Sequence, residues 1–150
     1  MASKIRVTKV FDFEAAHALW NYNGQCSNLH GHSYKLYVTV IGTPTSEGSN
    51  PKNGMVMDFG DLKEVVNREI VSQLDHAVIL NRAAMGEETG AFRSMLDKCY
   101  IVDYQPTCEN LVADFAHRIA GKLPEGVSLY RVRLDETATS YAEWFASDNP

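Results

Sequence analysis

Three histidines near the start of the chain have the types and spacing of a metal site. His30 and His32 stand two residues apart, and His17 follows a stretch of alternating apolar residues. Residues two apart in a strand share a face, and antiparallel pairing of two such strands would bring His17 opposite this pair. Three imidazoles with one open position are typical of catalytic zinc. An isolated HxH would more often be two polar loop residues, but the third histidine favours a metal.

Cys26 lies four residues before His30 and has two functional interpretations. As a fourth ligand, its thiolate would close a structural zinc site that already has three imidazoles. As a thiol beside an open metal position, it would be favoured as thiolate by the cation and would act as a base. A small buried side chain is the non-functional alternative, and that interpretation fits Cys99 and Cys108 well.

Two further groups have side chains suited to proton transfer or to ligand binding. Asp75 and His76 are adjacent, and an imidazole oriented by a carboxylate commonly supports a base. Neighbours in the chain seldom orient each other, so a histidine at a helix end beside a solvated aspartate is the alternative. Glu136 lies in LDETATS, where it is either a turn residue or an acceptor for two N–H groups of a pterin or guanine edge.

The elements that position these groups follow from the apolar patterns. Alternating apolar residues predict four strands, at residues 5–13, 33–42, 127–134 and 139–145, of which the last two form a hairpin. Between the two strand pairs, apolar residues recur twice at helical spacing. Asp58 is placed to cap the first helix and Thr107 the second. This order predicts an α+β protein, with two helices on one face of a four-stranded antiparallel sheet.

Residues 82–98 show no clear periodicity, and we expect either an extra helix or a loop that orders on binding. The length suits a single domain over residues 1–150. A formal net charge of −5 without a basic stripe argues against nucleic-acid binding. Neither a membrane span nor a signal peptide is visible, and three cysteines without CxxC argue against a disulfide framework. We therefore expect a cytoplasmic protein that binds no membrane.

Six short motifs occur in one order along most of the chain. They are FEAAH (13–17), C-SNL-HGH (26–32), GMVMDFGDLK (54–63), LDH (74–76), PTCEN (106–110) and DET (135–137). HGH alone is weak, but the ordered set is specific. Together the motifs resemble the 6-pyruvoyl-tetrahydropterin synthase and 6-carboxytetrahydropterin synthase family.

The resemblance implies the tunnelling fold (T-fold), a four-stranded antiparallel sheet with two helices on one face. It also implies a homo-oligomer, a hexamer built as a dimer of trimers, with active sites between subunits. In this family pattern His17, His30 and His32 bind Zn²⁺, and the small-molecule substrate is dihydroneopterin triphosphate.

The same resemblance implies roles for five other residues. Cys26 is the base that abstracts a proton, and Asp75 and His76 complete its relay from a neighbouring subunit. Glu136 anchors the pterin ring and joins the relay, and Thr107 lies near the pterin pocket.

Three residues separate Cys26 from HGH, a spacing that resembles the bacterial carboxytetrahydropterin branch of queuosine (7-deazaguanine) biosynthesis. The expected reaction converts 7,8-dihydroneopterin triphosphate to 6-carboxy-5,6,7,8-tetrahydropterin, with release of triphosphate and acetaldehyde. One alternative is 6-pyruvoyl-tetrahydropterin synthase activity, which eliminates triphosphate only. The alternative of another class is a non-enzymatic oligomeric module whose structural zinc is held by Cys26 and the three histidines.

Overall fold

A six-stranded mixed sheet carries two helices against one of its faces. The computed structural model describes residues 2–20, 28–84 and 93–150. The strands are β1 (Ile5–His17), β2 (His30–Gly42), β3 (Ala77–Asn81), β4 (Cys99–Val102), β5 (Ser128–Thr137) and β6 (Ser140–Phe145). Their order across the sheet is β4-β3-β1-β2-β5-β6.

The β1–β2 hairpin lies at the centre of the sheet and fixes the position of the histidines. Both strands have 13 residues and pair antiparallel along their full length, from Ile5 opposite Gly42 to His17 opposite His30. Their apolar side chains alternate with polar ones, so one face of each strand is buried. A slip of one residue would turn every apolar side chain to solvent, and the buried face therefore determines the register.

The sequence analysis predicted four strands, and the structure adds β3 and β4. β3 pairs parallel with the end of β1, and β4 pairs parallel with β3. These strands have only 5 and 4 residues, too few alternations for periodicity to separate a strand from a short loop. The sheet is therefore mixed rather than purely antiparallel. The predicted α+β class with two helices is confirmed.

Both predicted helix caps are present. Asp58 Oδ1 accepts a hydrogen bond of 2.7 Å from the backbone N–H of Gly60 at the start of the first helix. Thr107 Oγ1 accepts from the backbone N–H of Asn110 at 3.2 Å at the start of the second. The helices are α1 (Phe59–Val66), continued by a π-helical turn (Asn67–Val71) and a last α turn (Ser72–Leu74), and α2 (Cys108–Ala120).

The core lies between the helices and the sheet. Phe13 stacks on Tyr34 across the β1–β2 pair, with ring centroids 5.0 Å apart, and meets Phe115 of α2 edge-on at 6.1 Å. All three side chains are almost completely buried, and complete burial of one such side chain stabilises the fold by about 1.5–3 kcal/mol. This packing extends along the two strands to the end where the histidines lie.

The stretch at 82–98 forms no long element in its described part. Arg82–Ala84 is a single 3₁₀ turn, and residues 85–92 lie outside the described residues. Nearer its end, the Lys98 ammonium donates to the carbonyls of Ser72 and Asp75, both at 2.7 Å. Among the residues that the structure describes, no helix is long and apolar enough to cross a membrane.

Candidate metal centre

The ends of β1 and β2 bring the three predicted histidines together. His17 ends β1 directly opposite His30, and His32 is two residues further along β2 on the same face. The ring centroids are 4.7 to 5.0 Å apart. One ring nitrogen from each residue lies within 4.8 Å of the other two, a spacing that small side-chain rotations bring to metal–nitrogen bonds of about 2 Å. The geometry expected from strand parity is therefore present.

Two backbone carbonyls determine where the ring protons sit. Nδ1 of His17 lies 2.7 Å from the carbonyl oxygen of Pro106, and Nδ1 of His30 lies 2.6 Å from that of Asn28. A carbonyl oxygen only accepts hydrogen bonds, so both Nδ1 atoms are donors. In the neutral rings, both Nε2 atoms then carry lone pairs.

The lone pairs of His17 and His30 point towards each other with no proton between the two nitrogens. Nε2 of His17 and Nε2 of His30 are 3.1 Å apart. Nε2 of His32 is buried, with no hydrogen-bond partner among the described residues, and Glu136 Oε1 at 3.7 Å is too far to accept one. Converging lone pairs repel, and an unsatisfied buried nitrogen is costly. The cluster therefore fits a bound cation.

Burial keeps two of the three histidines in the form that binds metal. His17 is 2% exposed, and burial lowers its pKa below the ordinary value of a histidine. Burial likewise lowers the pKa of His32, with a smaller opposing effect from the Glu136 carboxylate. A metal ligand must be the neutral imidazole, so both shifts keep the ligand form available to lower pH.

A cavity of about 370 Å³ opens beside His17, a size that suits a small ligand. Glu136 and Thr107 line this cavity, together with Gln105, Cys108 and other residues. The sequence analysis left Glu136 as either a turn residue or an acceptor for ligand N–H groups, and the turn alternative is wrong. β5 continues to Thr137, and the inward alternation of its side chains carries the Glu136 carboxylate towards His32 and the cavity.

Cys108 is buried, as expected, but it also forms part of the cavity wall. Its thiol donates to the carbonyl of Leu134 at 3.2 Å, and burial raises its pKa to about 12. A thiol with that pKa stays protonated at neutral pH, so Cys108 is unsuited to act as a thiolate base. Cys26, the predicted base, lies outside the described residues.

Asp75 and His76 form a direct pair in the turn between α1 and β3. Nδ1 of His76 lies 3.1 Å from Asp75 Oδ1, although adjacent residues were not expected to orient each other. His76 has φ 63°, a left-handed conformation that costs a non-glycine residue about 1–3 kcal/mol. A hydrogen bond from the Glu14 backbone N–H lowers the pKa of the Asp75 carboxyl, with further lowering from His76.

His76 projects into solvent beside the sheet. Its side chain is 78% exposed, and it lines a second cleft, of about 350 Å³, together with His32 and the small residues Ala16 and Gly31. The structure thus places the Asp75–His76 pair next to the histidine end of the sheet but outside the cavity that contains Glu136.

The sequence analysis missed the residues that support the metal cluster from the α2 side. Pro106, whose carbonyl accepts from His17, is 89 residues away in the chain. The motif PTCEN indicated a helix cap and a pocket residue at Thr107 but no contact between Pro106 and His17. Gln105, the residue before Pro106, pairs its side-chain amide with the backbone of Trp20, three residues after His17.

Comparison with known proteins agrees with this architecture. The family model for 6-pyruvoyl tetrahydropterin synthase matches residues 6–147. A Haemophilus influenzae protein named 6-carboxy-5,6,7,8-tetrahydropterin synthase is 36% identical over 141 residues, which cover 93% of this chain and 97% of that protein. A protein of the same name from Aquifex aeolicus is 32% identical over 169 residues, with 94% and 98% covered.

Solved structures show the same fold at low sequence identity. An uncharacterized protein from Wolinella succinogenes matches with a TM-score of 0.76 at 21% identity, covering 96% of this chain and 99% of that chain. The 6-pyruvoyl tetrahydropterin synthase of Caenorhabditis elegans matches with a TM-score of 0.65 at 22% identity, with 96% of each chain covered. The predicted T-fold is confirmed, with two strands more than expected. By the match of its family model and the identity of its relatives, this chain belongs to the 6-pyruvoyl tetrahydropterin synthase family.

Proposed function

We propose that the protein is a zinc enzyme that converts 7,8-dihydroneopterin triphosphate to 6-carboxy-5,6,7,8-tetrahydropterin in queuosine (7-deazaguanine) biosynthesis. The observation that carries the proposal is the convergence of ring nitrogens from three histidines beside a cavity that contains a carboxylate. The names of the relatives from Haemophilus influenzae and Aquifex aeolicus support the carboxy product.

Zinc is the ion proposed for the cluster of His17, His30 and His32. Three neutral imidazoles suit zinc, and three protein ligands leave a position open for substrate oxygen. When bound there, zinc supplies a Lewis acid that polarises side-chain hydroxyl and carbonyl oxygens of the substrate. The carbonyls of Pro106 and Asn28 hold two of the rings by their Nδ1 atoms, so that their Nε2 atoms would be free to hold the ion.

The cavity beside the cluster is proposed to hold the pterin ring. The Glu136 carboxylate can accept two N–H groups from the guanidine-like edge of a pterin, and this pairing fixes the ring orientation. Thr107 lines the same cavity and contributes its hydroxyl. The substrate side chain then points towards the histidines.

Cys26 is the proposed base, and Asp75 with His76 completes its proton relay from a neighbouring subunit. Cys26 takes a proton from the substrate side chain, which requires a thiol pKa below the ordinary value of ~8.5. The pairing of His76 with the low-pKa carboxyl of Asp75 suits a group that accepts and returns protons.

The protein is proposed to form a homo-oligomer, with the hexamer as the expected form. A neighbouring subunit would also supply positive charge, which the cavity lining lacks among its described residues. The described residues that line the cavity include Glu109 and Glu136 and no lysine or arginine. A triphosphate requires cationic partners. We therefore propose that a second copy of the chain contributes them.

Product identification tests the proposal. The zinc-loaded protein is incubated with 7,8-dihydroneopterin triphosphate, and the products are identified by mass spectrometry. The carboxy reaction consumes one water and releases both triphosphate and acetaldehyde, whereas the pyruvoyl alternative releases triphosphate alone. Acetaldehyde in amounts equal to triphosphate supports the proposal, and triphosphate without acetaldehyde supports the alternative. A Glu136→Gln variant that keeps zinc but loses turnover serves as the control.

The structural-zinc alternative makes a different prediction. X-ray absorption on the resting zinc protein shows a sulfur ligand if Cys26 closes the site and only nitrogen and oxygen ligands if the fourth position is open. A zinc–sulfur distance near 2.3 Å together with no turnover would favour the non-enzymatic module.

A further inference from the structure

Gln105 links two segments of the protein, the one that follows His17 and the one that leads into α2. Its side-chain oxygen accepts from the Trp20 backbone N–H at 3.0 Å, and its side-chain NH₂ donates to the Trp20 carbonyl at 2.8 Å. A backbone N–H only donates and a carbonyl only accepts, so this pairing fixes the orientation of the amide as well.

These two bonds close a ring of contacts around His17. Trp20 lies three residues after His17, and Pro106 lies directly after Gln105. The Pro106 carbonyl oxygen lies 2.7 Å from Nδ1 of His17, so the two segments are in contact at a second point. The ring therefore consists of two short chain segments, 17–20 and 105–106, that are tied at both ends.

The first turn of α2 anchors the ring. The backbone carbonyl of Gln105 accepts from the Asn110 side-chain NH₂ at 2.9 Å and from the Thr107 backbone N–H at 2.8 Å. The position of the Pro106 carbonyl is thus tied to the helix that also forms the cavity wall. A carbonyl held in this way imposes one tautomer on the imidazole that donates to it.

We propose that Gln105 is a positioning residue for the metal centre, which acts through Pro106 to hold His17 with Nδ1 protonated and Nε2 free for the ion. Without the side-chain pairing, segment 105–106 moves relative to segment 17–20, and the His17 tautomer and ring orientation are no longer fixed. The part of this inference that concerns zinc rests on the proposed function.

The tautomer is measured directly in metal-free protein. Long-range ¹H–¹⁵N correlation spectra of ¹⁵N-histidine-labelled protein distinguish a protonated from a bare ring nitrogen. In the parent protein, His17 is expected to give one signal of each type. In Gln105→Met, which keeps the side-chain length but loses both hydrogen bonds, the two ¹⁵N shifts are expected to move towards each other as the tautomers mix.

Zinc affinity, measured by competition with a chelator, supplies the second readout. Loss of a group that orients a metal ligand commonly costs 10–100-fold in affinity, and we expect about tenfold weaker binding for Gln105→Met. Gln105→Glu keeps the acceptor for the Trp20 N–H but sets a carboxylate against the Trp20 carbonyl, so an intermediate loss is expected.

Gln73→Ala is the matched control. The side chain of Gln73 also bonds to backbone, donating to the carbonyls of Arg68 and Glu69 at 3.1 and 3.3 Å, but it does so within the helical segment that continues α1. Its loss should leave both readouts unchanged.

The outcomes separate this inference from the proposed function. It is overturned if Gln105→Met lowers only the melting temperature, with the His17 tautomer unchanged, or if a changed tautomer leaves zinc affinity unaltered. A parent protein that binds no zinc would refute the proposed function, while the spectra of the metal-free variants would still decide whether Gln105 positions His17.

Discussion

The positions of single ring protons determine what the histidine cluster can bind. The carbonyls of Pro106 and Asn28 each hold one ring proton outside the cluster, so that nitrogen lone pairs remain inside it. His32 adds a buried nitrogen without a partner among the described residues. A protonated ring would relieve only one contact, whereas a divalent ion satisfies three nitrogens together. The fit of the cluster to a cation thus follows from the hydrogen bonds as much as from the residue types.

The two cysteines that bear on the site should differ in their response to pH. Burial raises the Cys108 pKa to about 12, and a thiol is neutral below its pKa, so Cys108 carries no charge in the range where enzymes are assayed. Cys108→Ser, which keeps a donor for the Leu134 carbonyl, should therefore leave the pH dependence of kcat/KM unchanged. Cys26→Ala should reduce turnover by at least about 100-fold while zinc stays bound.

Steady-state rates between pH 6 and 9, with zinc content measured for each variant, check this prediction. The acidic limb of the parent profile should report the Cys26 pKa. Full turnover in Cys26→Ala, or a changed pH dependence of kcat/KM in zinc-loaded Cys108→Ser, would show that the base has been assigned wrongly.

Among the secondary-structure elements, the N-terminus of α2 has two separable tasks. Thr107 caps the helix through the Asn110 N–H, and it also lines the cavity proposed for the pterin. Thr107→Ala should lower the free energy of unfolding by about 1 kcal/mol because the cap is lost. Thr107→Asn keeps a capping oxygen but replaces the hydroxyl. It should therefore retain most of the stability while KM for the pterin rises.

Asp58→Ala is the matched control for capping, because Asp58 caps α1 and does not line that cavity. It should lose a similar free energy of unfolding in urea titrations and keep its KM. If Thr107→Asn also keeps the parent KM, Thr107 acts as a cap alone.

The same elements show which features a sequence can reveal. β1 and β2 are long enough for their alternation to predict the face that His17, His30 and His32 share. β3 and β4 are too short for such a pattern. The contact of His17 with Pro106 spans 89 residues, and no local propensity encodes a partner at that separation. Tertiary packing of α2 on the sheet creates it, and only a structure or a family resemblance can supply it.

At the scale of the whole molecule, the position of His76 bears on how many chains build one site. His76 lies in a cleft that His32 of the same chain also lines, whereas the family resemblance places the Asp75–His76 pair in a neighbouring subunit's site. The exposed side chain of His76 is accessible to a second copy. A single chain also offers no lysine or arginine among the described residues of the cavity wall, which favours a shared site.

Mixed oligomers distinguish a shared site from a single-chain site. Cys26→Ala and His76→Ala should each be inactive alone, because each removes one part of the proton relay. If the relay joins two subunits, random mixing of equal amounts restores sites in which both residues are intact. Each of the two chains that form a site carries the required intact residue with a probability of one half, so about a quarter of the parent activity should return.

Co-expression of the two variants with distinct tags, purification through both tags and a turnover assay provide the measurement. No activity in verified mixed oligomers would place Cys26 and His76 of one chain in the same site, whereas recovery near a quarter would show that each site is built by two chains.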